Sequence, residues 1–371
     1  MNGRVVSCRA RLPRRTNYFD SSTEDLPLKR LLIALLLATG AAAFLVSTPS
    51  LEAQDRVRLT GSGASFPFPL YSAWFKSFSS TSKGISVDYQ AKGSGAGIQD
   101  FINHTVDFAA SDAAMTDEEI AKVPGGVQLV PMTGGEIALA YNIPGVKGLK
   151  LPRDVYAGIF LGKVTKWSDP KIKAANPGAS LPDQDITVVR RADSSGTTFV
   201  FTTHLAAVSD EWKKGPGVGT TVKWPGSDKF VASPKNDGVA ATLRQTPGSI
   251  GYVEYAFAKF AKLEMASLQN KAGQYVTPGG KGGEEALASV KLPPDLRAWL
   301  PDPEGAQAYP IATYTWLLLY KKNSDPKKAA ALRELVDYCL TEGQKVSSQM
   351  GYIPLPENIA SAVKKAVASV Q

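Results

Sequence analysis

Three short glycine-bearing segments hold the residues best suited to chemistry. They are Gly61-Ser62-Gly63-Ala64-Ser65-Phe66, Gly93-Ser94-Gly95-Ala96-Gly97 and Arg191-Ala192-Asp193-Ser194-Ser195-Gly196-Thr197-Thr198, each just ahead of a run of helical period. The first turn of a helix exposes backbone N–H groups without partners and carries a partial positive charge, so it favours anions. Each segment adds hydroxyl donors, and the third adds an arginine. Together they read as a site for a small tetrahedral oxyanion. Each alone also has a plainer reading. Ser65 and Ser94 could be N-caps, Arg191 and Asp193 a surface ion pair, and the glycines turn residues.

The elements that must position these segments alternate. Val57 to Leu59 and the alternating Ile85 to Tyr89 read as strands, and Val106 to Ala110 as a third, ending at Ser111-Asp112. Leu70, Tyr71, Trp74, Phe75 and Phe78 recur at helical spacing, as do Ile98, Phe101 and Ile102. Thr116 to Glu119 has the spacing of a capping box. Val127 to Val130 and Glu136 to Asn142 predict two further strands. A second run follows: a helix over Val155 to Leu161, a strand over Ile186 to Arg190 with the third segment at its end, and a strand near Ile250 to Tyr255. Residues 270 to 305 read as surface loop with one helix, Ile311 to Tyr320 as an apolar strand, and Pro326 to Met350 as an amphipathic helix. Such alternation predicts α/β layers with a largely parallel sheet. Two strand-helix runs joined by extended segments predict two lobes, with the chain crossing between them twice and the ligand in the cleft.

Residues 1–53 read as a leader. Lys29-Arg30 precede the uncharged run Leu31 to Val46, too short for a membrane span, and Leu51-Glu52-Ala53 fits cleavage after Ala53. Five arginines in residues 1 to 28 make a long n-region, which suggests that the working start lies near Leu26 or Leu28. The 371 residues carry a net charge of +8, spread along the chain without the dense basic patch of a nucleic-acid binder. Beyond the leader only Cys339 remains, in a helical pattern with Leu332, Leu335 and Val336, and it reads as a core residue. His104 and His204 have no partners at metal-ligand spacing, so no metal and no cofactor are expected.

The strings Leu59 to Pro67, Gly93 to Gly97, Thr105 to Asp112 and Val188 to Thr197 closely resemble the periplasmic phosphate-binding protein of bacterial ABC-type phosphate importers. So do Tyr156 to Trp167, Val222 to Pro225 and Pro247 to Tyr255, in the same order over nearly all of the chain after the leader. The resemblance implies an α/β, two-lobed periplasmic binding protein fold of type II, with two domains joined by a two-segment hinge. Residues 54–135 and 312–371 would form lobe I, and residues 136–311 lobe II. It implies inorganic phosphate held wholly by protein groups: Ser65, Phe66 through its N–H, Ser94, Asp112, Arg191, Ser195, Gly196 and Thr197, with Asp193 orienting Arg191. It further implies a monomer in the periplasm that delivers phosphate to an inner-membrane ABC permease, without catalysis and without nucleic acid. The family commonly has threonine at the position of Ser65, and Gly95 replaces a possible hydroxyl.

Asp112 beside an anion is the informative member of this set. Phosphate at neutral pH keeps a proton that a carboxylate can accept, whereas sulfate would face Asp112 with two acceptors and no donor. A buried unpaired acceptor costs about 1–3 kcal/mol, so selectivity would come from repulsion. A plainer reading makes Asp112 the cap of the next helix. A two-metal phosphatase would need clustered Asp, Glu or His ligands that the pattern lacks. Asp112 argues against sulfate and molybdate, while arsenate and a second role in adhesion or sensing stay open.

Overall fold

A computed structural model describes residues 56–226 and 228–371. The predicted leader, residues 1–53, lies outside the described residues.

β1 (Val57–Gly63) leads into the helix Phe68–Thr81, and β2 (Ile85–Ala91) into the helix Ser94–Ile102. The first helix turns Leu70, Tyr71, Trp74, Phe75 and Phe78 inward, the stripe its spacing predicted. β3 (Phe108–Ser111) ends one residue before Asp112. The capping box forms: Glu119 N–H donates to Thr116 Oγ1 at 3.2 Å, and Thr116 N–H to Glu119 Oε2 at 2.9 Å. Two glycines let β1 approach its neighbours. Gly63 has φ 137°, and Gly97 of the second helix packs directly on the Gly63 Cα.

β4 (Val127–Asn142) is one strand of 16 residues where two were predicted. Pro131 reads as a break because it has no N–H to donate. It is accommodated opposite Trp316, where the pairing shifts between Thr315 and Trp316 and leaves Met132 as an extra residue on β4. Further along come β5 (Lys150–Leu151), β6 (Thr187–Arg191), β7 (Phe230–Ser233), β8 (Ser249–Glu254), β9 (Glu264–Met265), β10 (Ser267–Gln269), β11 (Tyr275–Val276) and β12 (Ala312–Tyr320).

The main sheet runs β2-β1-β3-β12-β4-β8-β6-β7, with β9 on β4. β1, β2 and β3 pair in parallel, as do β6, β7 and β8. The centre does not: β12 meets β3 and β4 antiparallel, and β4 meets β8 antiparallel. This corrects the expectation of a largely parallel sheet. Helical crossovers allow the flanking strands to pair in parallel, whereas β4 and β12 run through the middle and meet their neighbours head to tail. The first half of β4 pairs with β12 and its second half with β8. β4 therefore belongs to both strand groups, and the crossover near Gly135–Ile137 is hydrogen-bonded backbone, with Ile137 N–H donating to Ile311 O at 2.8 Å.

Residues 270 to 305 are more than surface loop. The helix Gly282–Ala288 packs on β4 and β12, and Leu287, Leu296 and Leu300 are buried. Trp316 Nε1 donates to Leu296 O at 2.8 Å, and Arg297 donates to Met115 O at 3.0 Å and pairs with Asp117. Polar composition hid a strap whose leucines at 287, 296 and 300 point inward.

The helical tail is continuous but not uniform. The helix Pro326–Tyr338 passes through a π turn, Cys339–Gly343, into the short helix Gln344–Ser347. Trp74 Nε1 donates to Gly343 O at 2.7 Å, and Gly343 leaves room for the indole. Cys339 is fully buried, which pushes its thiol well above the ordinary range and fits a core role. His204 is buried between Tyr156 Oη and Pro301 O, each at 2.8 Å; burial depresses it to about 4, so it is a neutral structural histidine. His104 stacks on Tyr320 just past the second helix.

Candidate functional site

The three glycine segments converge. Ser65 and Phe66 follow β1, Ser94 opens the helix Ser94–Ile102, Asp112 follows β3, and Arg191 ends β6. Ser195 caps the helix Gly196–Val208, whose first turn holds Gly196 and Thr197. Ser65, Phe66, Ser94, Asp112, Arg191, Ser195 and Thr197 are all at least 97% buried.

Ser195, for which the sequence suggested no capping role, is an N-cap: its Oγ accepts from Thr198 N–H at 3.1 Å. The plain readings of Ser94, Asp112 and Arg191 do not hold. Ser94 is not a cap. The cap is Gly93, at φ 100°, and the Ser94 hydroxyl accepts from Asp112 N–H at 3.2 Å. Asp112 does not cap a helix either; its Oδ1 accepts from Thr315 Oγ1 at 2.8 Å. Arg191 is no surface residue. Its Nε and Nη2 donate to the two oxygens of Asp193 at 2.8 and 2.5 Å, and Nη1 donates to Thr197 Oγ1 at 3.2 Å. A guanidinium has five N–H donors in one plane. This arrangement occupies three of them and leaves one hydrogen on each terminal nitrogen, a fork suited to two oxygens of one anion.

Burial and charge oppose each other here. Burial pushes Asp112 up to about 7, against the downward pull of Thr315, Arg191 and Ser94. Burial also acts to raise Asp193, but its bonds to Arg191 and to the Lys235 N–H hold it below the usual carboxylate range. One carboxylate thus fixes the arginine while the other sits near its protonation midpoint at neutral pH.

The segments meet at glycines. A Cβ on Gly196 would strike Ser94 Oγ and lie 2.6 Å from Asp112 Oδ2. A Cβ on Gly95 would strike the Ser194 hydroxyl, and Gly95 N–H donates to Ser194 O at 3.1 Å. Neither contact needs positive φ; both need the missing side chain. Beside them opens a groove of about 640 Å³ whose lining includes Ser65, Phe68, Tyr89, Lys92, Lys235 and Phe257.

Three participants were not read from the sequence. Thr315 holds Asp112 from the point where β12 slips register. Tyr252 accepts from Arg191 N–H at 3.0 Å and lies 2.7 Å from Thr198 Oγ1. Asn236 donates to Ser65 Oγ and Thr197 Oγ1. Thr315 stands among apolar residues of a buried strand, which is a weak signal. Lys235-Asn236-Asp237-Gly238 reads as an ordinary turn or helix start. Among the described residues no cluster of three or more His, Cys, Asp or Glu is placed to hold a metal, and no helix is long and apolar enough to cross a membrane.

Buried N–H donors at helix starts, a held arginine and a carboxyl near its midpoint suit a protonated oxyanion, and comparison with known proteins agrees. Residues 48–342 match the PBP superfamily domain. The phosphate-binding protein PstS of Pasteurella multocida (strain Pm70) is 40% identical over 326 residues, spanning 87% of this chain and 93% of that protein. PstS of Haemophilus influenzae is 38% identical, spanning 82% of this chain and 91% of that one. PstS of Methanocaldococcus jannaschii is 36% identical, spanning 85% and 87%. A high-affinity periplasmic phosphate-binding protein solved with bound phosphate superposes with a TM-score of 0.70 at 23% identity, covering 83% of this chain and 93% of that one. A phosphate-binding protein from Stenotrophomonas maltophilia gives 0.69 at 21% identity, covering 84% and 94%. These two carry the fold, the two-lobed architecture of periplasmic binding proteins. Likeness over most of both sequences carries the family: this chain belongs to the phosphate-binding proteins of the PBP superfamily.

Proposed function

We propose that this protein captures inorganic phosphate in the buried site between its two strand groups and hands it to an ABC-type import permease. The names of its relatives and the chemistry of the site support the same reading. Lobe I would comprise residues 54–135 and 312–371, and lobe II residues 136–311, hinged where β4 and the segment before β12 cross. The anion would take hydrogen bonds from Ser65, Ser94, Ser195 and Thr197, from the N–H groups of Phe66 and Gly196, and from the free edge of Arg191. Asp193 orients the arginine. The protein would bind and release the ligand without catalysis. It would work as a monomer in the periplasm, exported by the leader at residues 1–53.

The observation that carries this reading is Asp112, a buried carboxyl beside Arg191 and Ser94 with Thr315 on its far oxygen. A carboxylate there accepts the proton that phosphate retains, and it repels an anion that has none. The test is calorimetric titration of anion-stripped protein with phosphate and then sulfate at about pH 8.5, where Asp112 is ionised and phosphate keeps one proton. One-to-one phosphate binding with no sulfate response is expected. Equal binding of both would keep an oxyanion site and reject the filter, and no response to either would remove the function.

A further inference from the structure

We infer that Asn236 is a positioning residue that sets the two facing hydroxyls, Ser65 and Thr197, as donors to the anion. This rests on the phosphate-binding reading and goes beyond its ligand set. Asn236 is fully buried at the start of the helix Lys235–Gln245. Its Nδ2 donates to Ser65 Oγ at 3.1 Å and to Thr197 Oγ1 at 3.2 Å. The amide orientation is fixed from behind: Oδ1 accepts the Glu254 N–H at 3.0 Å, so the NH2 group must face the hydroxyls.

The hydroxyls are then counted out. A serine or threonine oxygen has two lone pairs and one hydrogen. Ser65 Oγ accepts twice from Asn236, from Nδ2 and from the backbone N–H at 3.3 Å. Thr197 Oγ1 accepts once from Asn236 and once from Arg191 Nη1 at 3.2 Å. With both acceptor positions filled, each hydroxyl keeps only its proton to offer. Ser65 precedes β4 in the chain and Thr197 follows it, so one amide orients a donor from each side of the cleft.

The local backbone is built for this. Lys235, immediately before Asn236, has φ 55°, a left-handed conformation that non-glycine residues seldom adopt. Its N–H donates to Asp193 Oδ1 at 2.9 Å, so the carboxylate that holds Arg191 also holds the turn that aims Asn236.

The test is a mutant cycle read by titration with inorganic phosphate, on protein whose melting confirms folding. Asn236→Ala frees both hydroxyls to rotate and should weaken binding roughly 10-fold. In a Ser65→Ala background the same change should cost only about threefold, because one of its two clients is gone. Equal losses in both backgrounds would mean a merely structural role and overturn the inference. Should Asn236→Ala not fold, Asn236→Asp keeps the shape and the acceptor for Glu254 N–H. It makes both hydroxyls donate to the new carboxylate, and a loss of about 100-fold is expected. Binding within about threefold of wild type would overturn the inference. Wild-type protein that takes up no phosphate would remove the binding reading and this inference together. Wild-type binding with indifferent Asn236 variants removes the inference alone.

Discussion

Asp112 has a chemistry that depends on pH in a direction that can be worked out. Burial raises it from the usual carboxylate range to about 7, so above that pH it is an acceptor and below it a donor. As a donor it would pair with sulfate as readily as with phosphate. Sulfate should therefore begin to compete as pH falls from about 8 to about 5, measured by displacement of labelled phosphate. Asn at this position offers a donor at every pH, so Asp112→Asn should bring the phosphate/sulfate ratio down by roughly tenfold or more at about pH 8.5, where the wild-type carboxyl is ionised. A ratio unchanged in that variant would deny Asp112 its role. The residues of the three glycine segments were legible because their signal is local: hydroxyls and glycines at helix starts and one arginine. Asn236 and Thr315 were not, because each gains meaning only from a partner far along the chain, Ser65 and Asp112 respectively. Nothing in the neighbours of Asn236 announces that its amide faces two hydroxyls.

Among the elements, the helix Gly196–Val208 meets the helix Ser94–Ile102 and the end of β3 through bare glycine surface. Gly196 lies in ordinary helical backbone, so alanine fits the helix itself and the variant should still fold. Its methyl carbon would crowd Ser94 Oγ and lie 2.6 Å from Asp112 Oδ2, too close for the segments to meet as they do. Gly196→Ala should thus lower phosphate affinity by about 10–100-fold through blocked approach of the two segments. Titration beside thermal melting separates this from unfolding; a variant that binds normally would show that the segments need not come so close. Helices were legible where apolar residues kept a 3.6 period, as in Phe68–Thr81. β4 was misread at Pro131, since the irregularity that tolerates the proline, an extra residue at Met132, shows only when β4 is paired with β12, nearly two hundred residues away. The strap at residues 282–300 was hidden by its Gly, Pro, Lys and Glu content, because burial there is carried by three leucines.

For the molecule as a whole, the crossing region holds buried charge. Glu136 sits on β4 opposite Ala312, where the chain passes between strand groups, and its Oε2 accepts from Gly279 N–H. Burial pushes Glu136 up to about 7, opposed by the N–H groups of Gly279 and Gly283 and aided by the charge of Glu284. Between the ordinary carboxylate value and 7 the folded protein binds more protons at this site than the unfolded chain. Its contribution to stability therefore falls as pH rises through that window. Glu136→Gln removes the titration, so the variant should gain on wild type between pH 5 and pH 8, by on the order of 2 kcal/mol. Melting temperatures of both proteins across that range check it. A pH-independent gap would mean that the carboxyl is not the responsible group.

The place of β12 in the sheet has a consequence for how the chain folds. It is the last strand in sequence, yet it lies between β3 and β4, which precede it by about two hundred residues. Until residue 320 is available, β3 and β4 have no partner on their facing edges. Contacts so distant in sequence slow folding, because long loops must close before any pairing rewards them. A chain of this topology stays incomplete until nearly all of it has been synthesised, and truncation before β12 should leave an aggregation-prone edge rather than a smaller working protein.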